Sequence, residues 1–347
     1  MIDKPGVGVL KTLWAKRPDG AWTISDIKGL DLEPKPGSDP DFYEVESDLA
    51  LMTNSPRGSI HEVFASFGPT DFLLKQSILP VLALVHGESA IRCIGTAFVI
   101  GCTGFLITAG HVLLDPQESG YGEVTRDGNT LKYSEKLWMG VLVPLNSAYG
   151  GRTAVALPFE SCWYWGDWHD SPLLHRQPEF KLLTDVAICK VPMLPNGVPH
   201  QPLNLSVWPF KMGERAFAVG YAEMADIPLI TKDGQQQIAD FDRTLYVSIG
   251  EVTDVFPDNH LSKAVPTPGP CAEFRARIPG KMSGSPIFGA QGALVRGVVS
   301  RSFSGEKHAY GSMLAPVLHL PMREGQTLKT IMETGNEGIP VLQGPQM

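Results

Sequence analysis

Residues 104–114 read GFLITAGHVLL. The apolar run 105–107 ends at Thr108, Ala109 and Gly110, which places the His111 imidazole just past a strand end, beside a glycine that lets the backbone turn tightly. Working outward, runs of the same kind recur from Gln76 onward: SILPVLALVH, GTAFVIG, TDVAICKV, RAFAVGY, TLYVSIGEV and RGVVSRS. Each is short, apolar and β-branched, and each is bounded by Gly, Pro or polar turn residues. Such runs predict an all-β barrel or sandwich rather than alternating βαβ units. Only the tail, LPMREGQTLKTIMETG at 320–335, carries the spacing of an amphipathic helix. Residues 1–75 are rich in Pro, Gly and Asp, as in LDLEPKPGSDPDFYE, and read as an extension with one short helix expected over 59–67.

The bulk composition removes several classes of function. The 29 basic residues against 37 acidic ones give a formal charge of −8, which disfavours nucleic acid or an anionic membrane as partner. Five cysteines, Cys93, Cys102, Cys162, Cys189 and Cys271, are odd in number, scattered and without CxxC spacing, so a reducing compartment is expected. Met1 is not followed by a basic start, an apolar run and a small-residue cleavage site, and the longest apolar stretches fall short of a membrane span. The expectation is a cytoplasmic protein with no membrane partner and no cofactor.

Nucleophilic chemistry is suggested by GKMSGSPIFG at 280–289. A serine among Gly and Pro is first of all the chemistry of a tight loop. To act as a nucleophile, Ser283 needs a neutral imidazole to take its proton, and that imidazole needs a carboxylate to hold its tautomer. His111 is the candidate base. Asp185, in LLTDVAICKV just before an apolar strand, is the candidate orienting acid. The chain order His, Asp, Ser and the residues Lys281 and Ser285 around Ser283 rule out the GxSxG elbow of α/β-hydrolases.

These segments together resemble a trypsin-like, chymotrypsin-fold serine protease of the bacterial or intracellular branch. The resemblance is carried by Thr108-Ala109-Gly110-His111, by GTAFVI at 95–100, by Asp185-Val186-Ala187-Ile188, by Ser283-Gly284-Ser285-Pro286, by GVVS at 297–300 and by MGERAFAVGY at 212–221. It implies two six-stranded antiparallel β-barrels, one over 76–203 and one over 204–320, followed by a C-terminal helix over 321–335. His111 and Asp185 would come from the first barrel and Ser283 from the second. The implied activity is endopeptidase cleavage of a protein or peptide substrate through an acyl-enzyme, with the amides of Lys281 and Ser283 as oxyanion hole.

The sequence also departs from the family pattern. Lys281 stands where the family has glycine. Either it holds positive φ, at roughly 1–2 kcal/mol, and still supplies its amide, or the hole collapses and leaves a peptide-binding scaffold without chemistry. Met282 replaces the aspartate used by secreted relatives to receive a new N-terminus, so restraint by the leader or by a regulatory protein partner is expected instead. Val112 removes the family's disulfide beside the histidine. By the resemblance Arg277 floors the primary pocket and would favour an acidic side chain, with Ser300, Arg301 and Ser302 as its wall. Arg275 and Arg277 equally read as two solvent-facing strand positions. The long interval between His111 and Asp185 contains Trp163, Tyr164, Trp165 and Trp168, read as local core of an enlarged loop rather than a lid. Cys162, His169, Asp170 and His175 fit no standard zinc spacing, so no metal is expected.

Overall fold

The computed structural model describes residues 12–16, 22–34, 42–51, 74, 77–100, 104–146, 152–165, 184–192, 203–232, 235–238, 243–257, 265, 267–289, 294–302, 307–322, 325–335 and 342–343. The expected helix over 59–67 lies outside them. Three strands precede the main body: β1 (Thr12–Lys16), β2 (Trp22–Pro34) and β3 (Phe42–Leu51).

A first sheet is built from β4 (Ile78–Val85), β5 (Ala90–Val99), β6 (Phe105–Ala109), β7 (Val124–Asp127), β8 (Thr130–Tyr133), β9 (Leu137–Asn146), β10 (Arg152–Pro158), β11 (Ser161–Tyr164) and β12 (Val186–Lys190). Its spatial order is β10-β9-β4-β5-β6-β12-β11-β8-β7. The hairpin β15 (Ile227–Lys232) and β16 (Gln235–Ile238) comes from later in the chain and joins this sheet by pairing β15 with β5.

The second sheet contains β13 (Asn204–Ser206), β14 (Arg215–Tyr221), β17 (Leu245–Phe256), β18 (Cys271–Arg275), β19 (Pro286–Gly289), β20 (Leu294–Ser302), β21 (Ala309–Met313) and the edge strand β22 (Leu342–Gln343). Six of these close on themselves: β17 pairs β14, β14 pairs β19, β19 pairs β20, β20 pairs β21, β21 pairs β18, and β18 returns to β17, all antiparallel. This is a closed barrel, which leaves no edge within the ring. Among the described residues, the first sheet has no pairing that joins its two ends. The fold is therefore all-β, with one barrel closed by hydrogen bonds and a second sheet where another closed barrel was expected.

The strands of the closed barrel bury most of their residues. Along β18, Ala272 and Phe274 point into a core with Met282, Ile287 and Val299, while Arg275 is exposed. The leader contributes to the same core. β3 pairs with β17, and Phe42 at its start is buried and stacks on Tyr246 with ring centroids 5.2 Å apart.

Helix content differs from expectation at two places. A nine-residue helix, α1 (Gly110–Glu118), follows β6 and carries His111 in its first turn. Two turns hold too few residues to show a 3.6 period, and its buried residues Val112, Leu113 and Leu114 are consecutive, so the segment reads as an apolar run. The C-terminal helix α2 begins at Leu328 and ends at Gly335, because Pro321 and Thr327 form a β-bridge in the stretch expected to be helical. No helix among the described residues is long and apolar enough to cross a membrane.

Candidate active site

The register of one strand pair brings His111 to Asp185. β12 runs antiparallel to β6 with Val186 opposite Ala109, so the residue before β12 falls beside the residues after β6. The Gly110 N–H donates to the Asp185 carbonyl at 2.6 Å, and the His111 N–H donates to Asp185 Oδ1 at 3.0 Å. First-turn amides of a helix have no intrahelical acceptor, so the carboxylate fills a vacancy that α1 creates. The other carboxylate oxygen, Oδ2, lies 2.8 Å from His111 Nδ1. A carboxylate only accepts, so Nδ1 carries the proton and Nε2 is left as a base. Gly110 is required by space: a Cβ there would lie 2.1 Å from Cε2 of Tyr164.

Asp185 is held by more than the histidine. The Ser300 hydroxyl donates to Oδ2, and the Thr267 hydroxyl donates to Ser300 Oγ at 3.2 Å. Burial by itself pushes the Asp185 carboxyl up. The His111 charge, the hydrogen bonds from His111 and Ser300, and the Arg301 guanidinium outweigh that and hold it below the ordinary carboxylate value.

Ser283 sits in a turn whose peptide groups are almost all committed. The carbonyls of Gly280, Lys281, Met282 and Ser283 accept from Glu223 N–H (3.1 Å), Thr96 Oγ1 (3.1 Å), Ser285 N–H (3.0 Å) and Thr96 N–H (2.8 Å). The amides of Met282, Gly284 and Ser285 donate to Pro279, Val299 and Met282. Among the described residues, the Lys281 and Ser283 amides donate to no protein acceptor. Lys281 has φ +73°. In a trans peptide the C=O and N–H point opposite ways, so fixing the Gly280 and Met282 carbonyls turns both free amides away from the acceptors' partners. The Ser283 hydroxyl donates to the Ser300 carbonyl at 3.4 Å; that is its hydrogen bond, and His111 is not its partner.

The turn is docked against the segment that leads to His111. A Cβ on Gly284 would lie 2.0 Å from the Thr96 carbonyl and 2.3 Å from Thr108 Oγ1, and one on Gly95 would meet both Val112 and the Ser283 carbonyl. The residues flanking Ser283 thus touch the residues flanking His111.

The remaining sequence expectations divide. Arg277 is exposed between buried Ala276 and Ile278, as the solvent-facing reading expects. Its carbonyl accepts the Ser248 hydroxyl. The Ser302 hydroxyl donates to the Ile278 carbonyl at 2.7 Å, joining the segments expected as pocket wall and pocket floor. Arg301 is half-buried, and its charge is felt by Asp185, Glu118 and Tyr164. Trp163, Tyr164 and Trp165 are buried core residues; Trp168, His169, Asp170 and His175 lie outside the described residues. Cys162 faces Cys189 across β11 and β12 with sulfurs 3.6 Å apart. Among the described residues, no group of three or more His, Cys, Asp or Glu could hold a metal ion. Sequence reasoning placed Ser300 in a pocket wall and missed both the bond from its hydroxyl to Asp185 and the Thr96 brace. Both residues lie inside the quoted segments GVVS and GTAF, but a side chain's partner does not show in a linear pattern.

Residues 95–295, more than half of the chain, match the trypsin-like peptidase domain. No curated protein matches the chain in sequence. Among solved structures it is similar to Deg5, with 14% identity and a TM-score of 0.43 over 76% of this chain and 92% of that one. It is similar to the Rv3671c protease from M. tuberculosis in its active form, with 17% identity and a TM-score of 0.38 over 83% and 91%. A third similarity is to the HtrA-type protease AlgW with decapeptide, with 12% identity and a TM-score of 0.41 over 75% and 65%. On the strength of the profile match, which spans His111, Asp185 and Ser283, the chain belongs to the trypsin-like peptidase family.

Proposed function

We propose that the chain is a serine endopeptidase acting through His111, Asp185 and Ser283. The observation that carries this reading is the 2.8 Å contact of His111 Nδ1 with Asp185 Oδ2, together with the two uncommitted amides that flank Met282. In the proposed reaction Ser283 Oγ bonds to the substrate carbonyl carbon while its proton passes to His111 Nε2. The carbonyl oxygen becomes an oxyanion between the Lys281 and Ser283 amides, each such donor contributing about 2.7–4 kcal/mol in the transition state. His111 then gives its proton to the departing amine as the C–N bond breaks, and water repeats the sequence on the acyl-enzyme. The substrate is a peptide in extended form, its backbone pairing with the segment that begins at Ser300. The 3.4 Å bond from Ser283 to the Ser300 carbonyl is long, and nucleophile–base bonds in ligand-free sites often tighten only with substrate bound.

That same bond favours a second reading, a trypsin-fold peptide-binding module without chemistry. A fluorophosphonate separates the two. The native chain is expected to be labelled and Ser283→Ala to remain unlabelled; folded native protein that takes no label supports the module and overturns the enzyme.

A further inference from the structure

The turn that carries Ser283 contains a residue that ought to be glycine, and the structure holds it in a glycine conformation from outside. Only two non-glycine residues among those described have positive φ, Lys281 at +73° and Glu223 at +51°. A hydrogen bond links the segments that carry them. The Glu223 N–H donates to the Gly280 carbonyl at 3.1 Å, which fixes the peptide plane whose other end is the Lys281 N–H. The Lys281 side chain contacts the same segment. Its Nζ donates to the Met224 carbonyl and lies 3.7 Å from Asp226 Oδ1.

We infer that the segment 222–226 is a brace for the oxyanion hole, and that Lys281 Nζ, Asp226 and the left-handed Glu223 are positioning residues for the Lys281 amide. The inference rests on the endopeptidase reading above. A left-handed L-residue is disfavoured by Cβ sterics, so an unbraced side chain at 281 would relax and swing its amide out of the hole. Glycine meets no such resistance and needs no brace. In this protein the contacts of the lysine side chain offset a steric cost that glycine does not carry. The Lys281 carbonyl, bonded to Thr96 Oγ1 at 3.1 Å, anchors the other end of the residue.

The test compares Lys281→Ala, Lys281→Gly and Asp226→Asn, alone and combined, on a fluorogenic peptide and by fluorophosphonate labelling rate. Lys281→Ala is expected to lower kcat about 5- to 30-fold, the cost of one unsupported left-handed residue, with KM nearly unmoved because the oxyanion contact forms in the transition state. Lys281→Gly is expected to lose clearly less than Lys281→Ala. Asp226→Asn should lower kcat about 2- to 5-fold, in line with a partly exposed ion pair, and should lose that effect once residue 281 is glycine. Native kcat in Lys281→Ala, or an Asp226→Asn effect of equal size with glycine at 281, overturns the brace. Crystal structures of the same variants keep the two readings apart if no chemistry is detected. The brace requires φ at 281 to stay positive in the native chain and Lys281→Gly but to leave that region in Lys281→Ala, and an unchanged left-handed alanine refutes it.

Discussion

The Ser300 hydroxyl donates to Oδ2 of Asp185, the same oxygen that His111 Nδ1 approaches. One buried carboxylate therefore serves a donor from the closed barrel and a donor from α1, the helix that follows the first-sheet strand β6. It ties the two halves of the site through a single group.

Replacing Ser300 by alanine removes a hydrogen bond to a buried charge, which is worth about 1.5–3 kcal/mol, and leaves the Thr267 hydroxyl without its acceptor. Urea unfolding of Ser300→Ala should show a loss in that range. A midpoint equal to the native one would mean that the hydroxyl does not support the carboxylate.

The Asp185 carboxyl has a folded pKa below its ordinary value. Its stabilisation is therefore fully present above about pH 3.9, the unfolded carboxylate value, and is lost as pH falls through the lower folded one. Asp185→Asn should be less stable than the native chain at neutral pH, and the gap should narrow as pH drops below about 3.9. Unfolding free energies measured from pH 7 to pH 2 check this, and a gap that widens on acidification contradicts it.

Phe42 belongs to the leader yet lies in the core of the closed barrel, against Tyr246. Truncating a buried phenylalanine costs about 3–5 kcal/mol. Phe42→Ala should lower stability by that order. Deleting 1–75 should destabilise the barrel rather than only release restraint on turnover, as thermal melts of both variants would reveal.

Cys93, Cys162, Cys189 and Cys271 are all buried, and burial pushes the thiols of Cys93 and Cys271 up to about 12. Since the thiolate is the reactive species, a chromogenic disulfide reagent at pH 8 should titrate at most one of the five thiols of the folded chain. All five should react in denaturant. Two or more fast thiols in the folded protein would show that these cysteines are not sheltered.

Much of this architecture is legible in linear order because short apolar, β-branched runs bounded by turn residues mark buried strands. The runs at 105–109, 186–190 and 294–302 each became a strand, with His111 shortly after the first, Asp185 just before the second and Ser300 within the third. α1 was not legible. Its helical state is set by burial against neighbouring strands and by Asp185 accepting the His111 N–H, neither of which a nine-residue window contains. Arg277 was ambiguous for a related reason. Its identity suits either a pocket floor or an exposed strand position, and only the folded chain shows it exposed between buried Ala276 and Ile278.

The sequence by itself determined which groups are present and in what order: His111, Asp185, Ser283 and the short apolar runs that hold them. Tertiary structure alone decided that Asp185 meets His111 across 74 positions, that Ser300 joins them, and that Lys281 adopts a glycine-like backbone. Residue types and periodicity are local properties of a chain. Register between distant strands, and the partners that hold a disfavoured φ, exist only once the chain has closed on itself.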